Sequence, residues 1–305
     1  MKKLLPVALA AIGNSFCGKH SSPPGLRMLF PTSIHPKLMK GVPFCMKHSA
    51  IADLILNNAF ELYGQPKWTF GKNTCNTYEV FAEKIRLQDG QSISALPFIE
   101  LIEGDESLTL LFSNWFVKAA VASAAQINEK TQSHVTLSIN LLPLYAAQKN
   151  FVQDVLDVLE ANGIQPQKLQ FELSEAQNLS EEGIENLNRL HDEHGVGLYL
   201  ANFGKGYANI DLLTEVHFDG IELDRSYAAR VPDHEQACRL VVAIQHMAHT
   251  LDLKVCAKGI ETQDQFEFFE ELDCFKGQGY LIGEPMNMDE LTEYVYAHAV
   301  HTEAV

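Results

Sequence analysis

Eight apolar segments of strand length recur along this chain, most of them separated by a helical pattern, and that alternation limits the fold more than any other feature. The segments fall at 60–68, 77–87, 134–142, 168–174, 196–203, 218–224, 253–260 and 276–282. Helical periodicity fills 110–129, 146–162, 181–194, 235–251 and 262–272, and a closing helix is predicted from 288 to about 299. Strands alternating with amphipathic helices predict a parallel sheet covered on both faces. Eight such units in about 245 residues close most simply as an α/β fold of the (β/α)8 TIM-barrel type. An open doubly wound sheet is the alternative, but it usually carries a glycine-rich phosphate loop after its first strand. Here the Gly204-Lys205-Gly206 run follows the fifth strand instead.

The alternation divides the chain into a lead-in, 1–50, and a barrel domain, 51–300. The lead-in is irregular, with Ser21-Ser22-Pro23-Pro24-Gly25 at its centre and prolines at 31, 36 and 43. Residues 1–52 hold seven Lys or Arg and no carboxylate, so sixteen basic residues face all thirty-nine acidic ones in the remainder. A body this acidic repels nucleic-acid phosphates, and no direct nucleic-acid partner is expected. The first thirteen residues, a short basic start and an apolar run, are too short to span a bilayer. They fit either a leader packed on the domain or, through residues 1–16, an export signal with a poor cleavage site. The expected location is cytoplasmic, with export as the alternative. Phe16-Cys17-Gly18-Lys19-His20 recurs as Phe44-Cys45-Met46-Lys47-His48. Cys17, His20, Cys45 and His48 are therefore a candidate tetrahedral zinc set, with unrelated thiols as the plainer alternative.

In such a barrel, chemistry sits at the C-terminal ends of the strands. Those ends read Asn140, Glu172, Asn202, Glu222 with Asp224, Lys258 with Glu261, and Gln278. Each alone is an ordinary cap or loop residue. Together they outline a polar pocket at one mouth of the barrel.

Taken in order, these strand ends resemble the EAL family of cyclic-di-GMP phosphodiesterases. Tyr63-Gly64-Gln65-Pro66-Lys67 resembles the family's opening strand, and Glu79 stands where the signature's first glutamate belongs. Ser138-Ile139-Asn140 is similar to the family's asparagine-bearing strand, and Glu172-Leu173-Ser174-Glu175 to its ExTE. Phe203-Gly204-Lys205-Gly206-Tyr207 matches the second half of DDFGTGY. Asp219-Gly220-Ile221-Glu222-Leu223-Asp224 resembles DxIKID, Ala257-Lys258-Gly259-Ile260-Glu261-Thr262 resembles AEGVET, and Gln278-Gly279-Tyr280 matches QGY. The likeness runs in unbroken order over 55–297.

The departures bear on function. The resemblance implies hydrolysis by divalent metals held on carboxylates and an asparagine. Of those ligands Glu79, Asn140 and Glu172 remain, but the paired aspartates are Ala201 and Asn202. Alanine cannot ligate, and a neutral amide is a poor substitute for a carboxylate on a hard cation. The lysine of KID is Glu222 and the first glutamate of AEGVET is Lys258, so no catalytic set is intact. If those two side chains face each other, a salt bridge persists with reversed polarity. Glu83 replaces the arginine that the resemblance assigns to a ligand phosphate. Losing such a contact costs on the order of 1.5–3 kcal/mol before repulsion is counted.

What remains of the ligand pocket is Glu79, Glu83, Asn140, Glu172, Glu175, Asp224, Glu261 and Gln278. The expected function is a degenerate, non-catalytic regulator that binds another protein, with hydrolysis lost and cyclic-di-GMP binding weak or absent. The alternatives are a cyclic-di-GMP receptor without turnover, or an active phosphodiesterase with an altered metal site. No cofactor is expected, and magnesium or manganese only if family activity persists. The expected partner is a regulatory protein, and family likeness adds a homodimer. The Ala201-Asn202-Phe203-Gly204 run is also similar to the replacement in EAL-like antagonists of the flagellar master transcription regulator.

Overall fold

The structure, a computed structural model, describes residues 48–72, 74–174, 178–204 and 210–298. The described residues begin with α1 (His48–Leu56), then β1 (Phe60–Thr69), β2 (Thr74–Arg86), β3 (Ser92–Ser94), α2 (Leu96–Glu103) and α3 (Glu106–Thr131). The alternating part follows: β4 (Thr136–Asn140), α4 (Pro143–Ala146), α5 (Phe151–Ala161), β5 (Leu169–Ser174), α6 (Glu181–His194), β6 (Gly197–Phe203) and α7 (Leu212–Glu215). It continues with β7 (Gly220–Leu223), α8 (Arg225–Ala228), α9 (Glu235–Thr250), β8 (Lys254–Lys258), α10 (Gln263–Glu271) and β9 (Lys276–Gln278). A short β10 (Met286–Asn287) precedes the closing α11 (Met288–His298).

The sheet order is β10-β1-β9-β8-β7-β6-β5-β4-β2-β3, and the extra β1–β2 pairing closes eight strands into a barrel. Strands β2 and β4 to β9 run parallel, with Glu79 beside Ser138, Asn140 beside Glu172 and Lys258 beside Gln278. One expectation needs correcting. β1 is antiparallel to both β2 and β9, so the sheet is not wholly parallel. The reason is the link: residues 70–73 join β1 to β2, and a parallel crossover needs a dozen residues or more. A hairpin is all this length allows.

Local sequence explains where the helices start and stop. Asp105 accepts a hydrogen bond from Leu108 N at the head of α3, and Ser180 from Gly183 N at the head of α6. Thr262 and Gln265 form a reciprocal capping box on α10. Gly195 ends α6 in the left-handed conformation that glycine adopts freely. At 26 residues α3 is long and apolar enough to span a bilayer. It is instead a core helix, burying Phe112, Phe116, Ala120, Val121, Ala124 and Ile127. The apolar core lies between barrel and helices, where Ile139, Phe171, Leu173, Leu198, Leu200 and Ile221 are buried. The inside of the barrel is different: it is filled by charged and polar side chains.

Candidate functional site

Alternation along each strand turns every second side chain inward. On β1 this presents Gln65 and Lys67, on β2 Glu79, on β4 Ser138, on β5 Glu172, on β7 Glu222, on β8 Cys256 and Lys258, and on β9 Lys276 and Gln278. All but Lys258 are buried, and the Lys258 side chain is 18% exposed at the mouth.

These residues form two stacked ammonium layers bridged by carboxylates. Lys67 Nζ lies 2.5 Å from Glu172 Oε1 and 2.6 Å from Glu222 Oε1. Lys258 Nζ, nearer the mouth, lies 2.7 Å from Glu172 Oε2, 2.7 Å from Glu222 Oε2 and 3.1 Å from Glu79 Oε2. Glu172 and Glu222 thus each give one oxygen to each lysine. Ser138 Oγ donates to Glu172 Oε1 at 2.5 Å. Asn140 Nδ2 donates to Glu79 Oε1 at 3.1 Å, and Gln278 Nε2 to Glu79 Oε2 at 2.9 Å. The contact of Glu222 Oε2 with Lys258 is an ion pair outside hydrogen-bond angles.

Burial alone would push both ammoniums down, but Glu172 and Glu222 more than offset it and hold Lys67 and Lys258 above the ordinary lysine value. Burial works against the Glu172 carboxylate as well, yet Lys258 and Lys67 hold it well below the usual range. Glu222 goes the other way, raised by burial and by the neighbouring Glu172 charge. The centre is therefore close to self-neutral without any added ion. Lower in the barrel, Lys276 is buried with its Nζ 5.1 Å from the Phe275 ring centroid, and burial pushes it down to about 8.

Of the residues picked from the sequence, Glu79, Asn140, Glu172, Glu222, Lys258 and Gln278 come together here. The Glu222–Lys258 pair does meet, with the polarity opposite to the family motif. Ala201 is buried and brings no donor atom. Asn202 sits at φ 59, beside the register shift between Leu200 and Phe203. Asp224, buried just after β7, caps α8 with its side chain, accepting from Ser226 N at 2.9 Å. Glu261 is exposed on the loop before α10. Glu83 is half-buried in a β-bulge opposite Glu61 and Leu62, its carboxyl raised by burial. Glu175, Gly206, Cys17, His20 and Cys45 lie outside the described residues. His48 is 72% exposed, with Nδ1 3.6 Å from Asp105 Oδ2.

Lys67 and Ser138 stand in motifs read from the sequence but were not assigned to the site. Both lie inside strands and not at their C-terminal ends. Gly204, in the loop after β6, has φ +84, and a Cβ there would stand 2.1 Å from Tyr227 Oη. That hydroxyl donates to Gly204 O at 3.1 Å, so only glycine fits the contact.

This donor set does not fit a pair of divalent cations. The three carboxylates are already bound to ammoniums, Ala201 has no ligating atom, and no metal-binding cluster of His, Cys, Asp and Glu occurs among the described residues. Magnesium also needs oxygens at about 2.0–2.1 Å, well inside the spacing set here by a lysine nitrogen.

Comparison with known proteins places these residues in a family. An uncharacterized signaling protein of Caulobacter vibrioides is 30% identical over 207 residues, 67% of this chain and 25% of that protein. Cyclic di-GMP phosphodiesterase RocR of Pseudomonas aeruginosa is 26% identical over 253 residues, 80% of this chain and 63% of its own length. The chain thus spans from about a quarter to under two thirds of these relatives. Among solved structures, the EAL enzyme Bd1971 with cAMP and cyclic-di-GMP bound superposes with a TM-score of 0.74 at 23% identity, covering 81% of this chain and 67% of that one. That likeness establishes the barrel fold. The family model described as the EAL domain matches residues 48–285, and the chain belongs to the EAL domain family.

Proposed function

We propose that this chain is a non-catalytic EAL-domain protein that acts by binding another protein, with cyclic-di-GMP hydrolysis lost and nucleotide affinity weak or absent. One observation carries the reading: the Lys258 ammonium lies within 3.1 Å of Glu79, Glu172 and Glu222 at once. Metal-assisted hydrolysis needs carboxylates free to hold the ions that generate hydroxide. Here the same oxygens are bound to a cation that the chain carries itself, and a second one, Lys67, holds Glu172 and Glu222 from below. Those carboxylates also hold Lys258 above the ordinary lysine value, which keeps it a cation and not a base. Glu83, with its raised carboxyl, offers no positive charge to a phosphate.

Ligand recognition is then left to the outside of the barrel. The scaffold is retained, its strand-end glycine Gly204 included, while the chemistry is not, as suits a barrel used for its surface. The partner class is a regulatory protein, or a second copy of this chain.

The test is isothermal titration of the purified protein with cyclic-di-GMP, once with magnesium or manganese and once with EDTA, alongside chromatography for linear product. Flat titrations and no product are expected. Tight binding without product would make the chain a receptor. Metal-dependent product would overturn the reading, because the carboxylates could then be freed from lysine at little cost.

A further inference from the structure

We propose that Lys258 is a tethered counter-ion seated in a cation cage made by Glu79, Glu172 and Glu222, and that the cage accepts a free primary ammonium once the tether is cut. The inference rests on the reading above, that lysine claims the carboxylates, and goes on to say what the cage recognises.

Three carboxylate oxygens from three strands, β2, β5 and β7, converge on one nitrogen at 2.7 to 3.1 Å. The contact with Glu172 is a charge-assisted hydrogen bond, and those with Glu222 and Glu79 are ion pairs at similar spacing. They are long for magnesium, so the cage as built suits an ammonium and not a small divalent ion.

The walls hold without Lys258. Glu172 and Glu222 are fixed through their Oε1 atoms by Lys67, and Glu172 also by Ser138. Glu79 is fixed by Asn140 and Gln278. Removing Lys258 therefore leaves three oriented oxygens around an empty space, with three carboxylates opposed by one ammonium. The 18% exposure of the Lys258 side chain places that space at the mouth, open to a small solute. The lost butyl tail leaves room for a short alkyl chain behind the nitrogen.

The experiment uses this chain with Lys258→Ala and the unmodified chain, with thermal unfolding followed by circular dichroism. Each is measured in ethylammonium chloride, tetramethylammonium chloride, sodium chloride and magnesium chloride at matched ionic strength. Lys258→Ala should melt roughly 10 °C lower than the parent, as expected when one partner of a buried pair is removed. Ethylammonium should recover about half of that loss in a saturable way, and the parent should not respond. Tetramethylammonium has no N–H to donate and should match sodium. Equal effects of ethylammonium and tetramethylammonium, or stronger rescue by magnesium, would overturn the cage. If the variant does not fold alone, it is refolded from urea in each salt. Recovery in ethylammonium only supports the proposal, and recovery in none refutes it. The nucleotide titration on the unmodified chain is independent, so the cage and the non-catalytic reading fail separately.

Discussion

Lys67→Met is the most informative single change, because it removes a buried charge from beneath the barrel mouth. The Lys67 side chain is 3% exposed, and its Nζ contacts Glu172 and Glu222 at 2.5 and 2.6 Å. Methionine keeps most of the volume, so a cavity is a minor part of the cost. What remains is two carboxylates, sharing Lys258, that have lost the ion beneath them. Breaking a buried pair from one side costs about 3–5 kcal/mol. In a barrel of this size, that lowers the melting temperature by roughly 6–20 °C. Urea unfolding monitored by far-ultraviolet dichroism and tryptophan fluorescence gives the free energy, provided the two transitions coincide. The paired variant Lys67→Met with Glu222→Gln makes the test specific. Removing one carboxylate lifts the uncompensated charge, so the double change should cost less than the sum of the singles by about 1.5–3 kcal/mol. A Lys67→Met cost under about 1 kcal/mol, or two singles that simply add, would refute the idea that the stacked ions hold one another in place.

Three further outcomes follow from the same geometry. The Lys67→Met penalty should shrink in acid: the lysines hold Glu172 below the usual carboxylate range, so its contribution is present above the unfolded value and lost as pH falls through the folded one; repeating the urea series from pH 7 downward checks this. Lys276→Met should stabilise the protein, by up to roughly 3 kcal/mol at pH 7, because burial lowers that amine from 10.5 to about 8. The folded state then binds fewer protons than the unfolded between those values, so the gain should fade toward pH 10, and a gain that grew with pH would contradict the assignment. Gly204→Ala should cost about 2–4 kcal/mol, since a side chain would meet the Tyr227 hydroxyl at a left-handed φ; a melting temperature within 2–3 °C of the parent would show that the loop adapts.

Much of this was legible in the sequence, for reasons that differ by residue. The parallel strands announced themselves because each is a short apolar run ahead of an amphipathic helix, and their polar ends fell at one mouth. Glu222 and Lys258 were recognisable as an exchanged pair, since the two departures are opposite in sign. Lys67 was not visible in the same way. It stands mid-strand in the one strand of the eight-stranded ring that runs against the other seven, so a survey of C-terminal strand ends passes over it. The signal was there, in a charge alternating with Gln65 between apolar neighbours, and in a link too short for a crossover. Asp224 carries a second role that its place in the motif does not announce: a carboxylate directly after a strand is as readily a helix cap as a ligand, and its Oδ1 accepts from Ser226 N.

The antiparallel first strand also fixes when, during synthesis, the molecule can be completed. β1 joins the sheet between β2 and β9, and its Lys67 waits for Glu222, which follows 155 residues later. Until β9 leaves the ribosome, the growing sheet has two open edges and an incomplete set of charges inside. Contacts this distant in sequence are slow to form. A chain ending shortly before residue 276 would hold nearly all the helices and every lysine–glutamate contact of the mouth, yet still lack the strand that seals the ring. C-terminal truncation that removes β9 should therefore abolish cooperative folding.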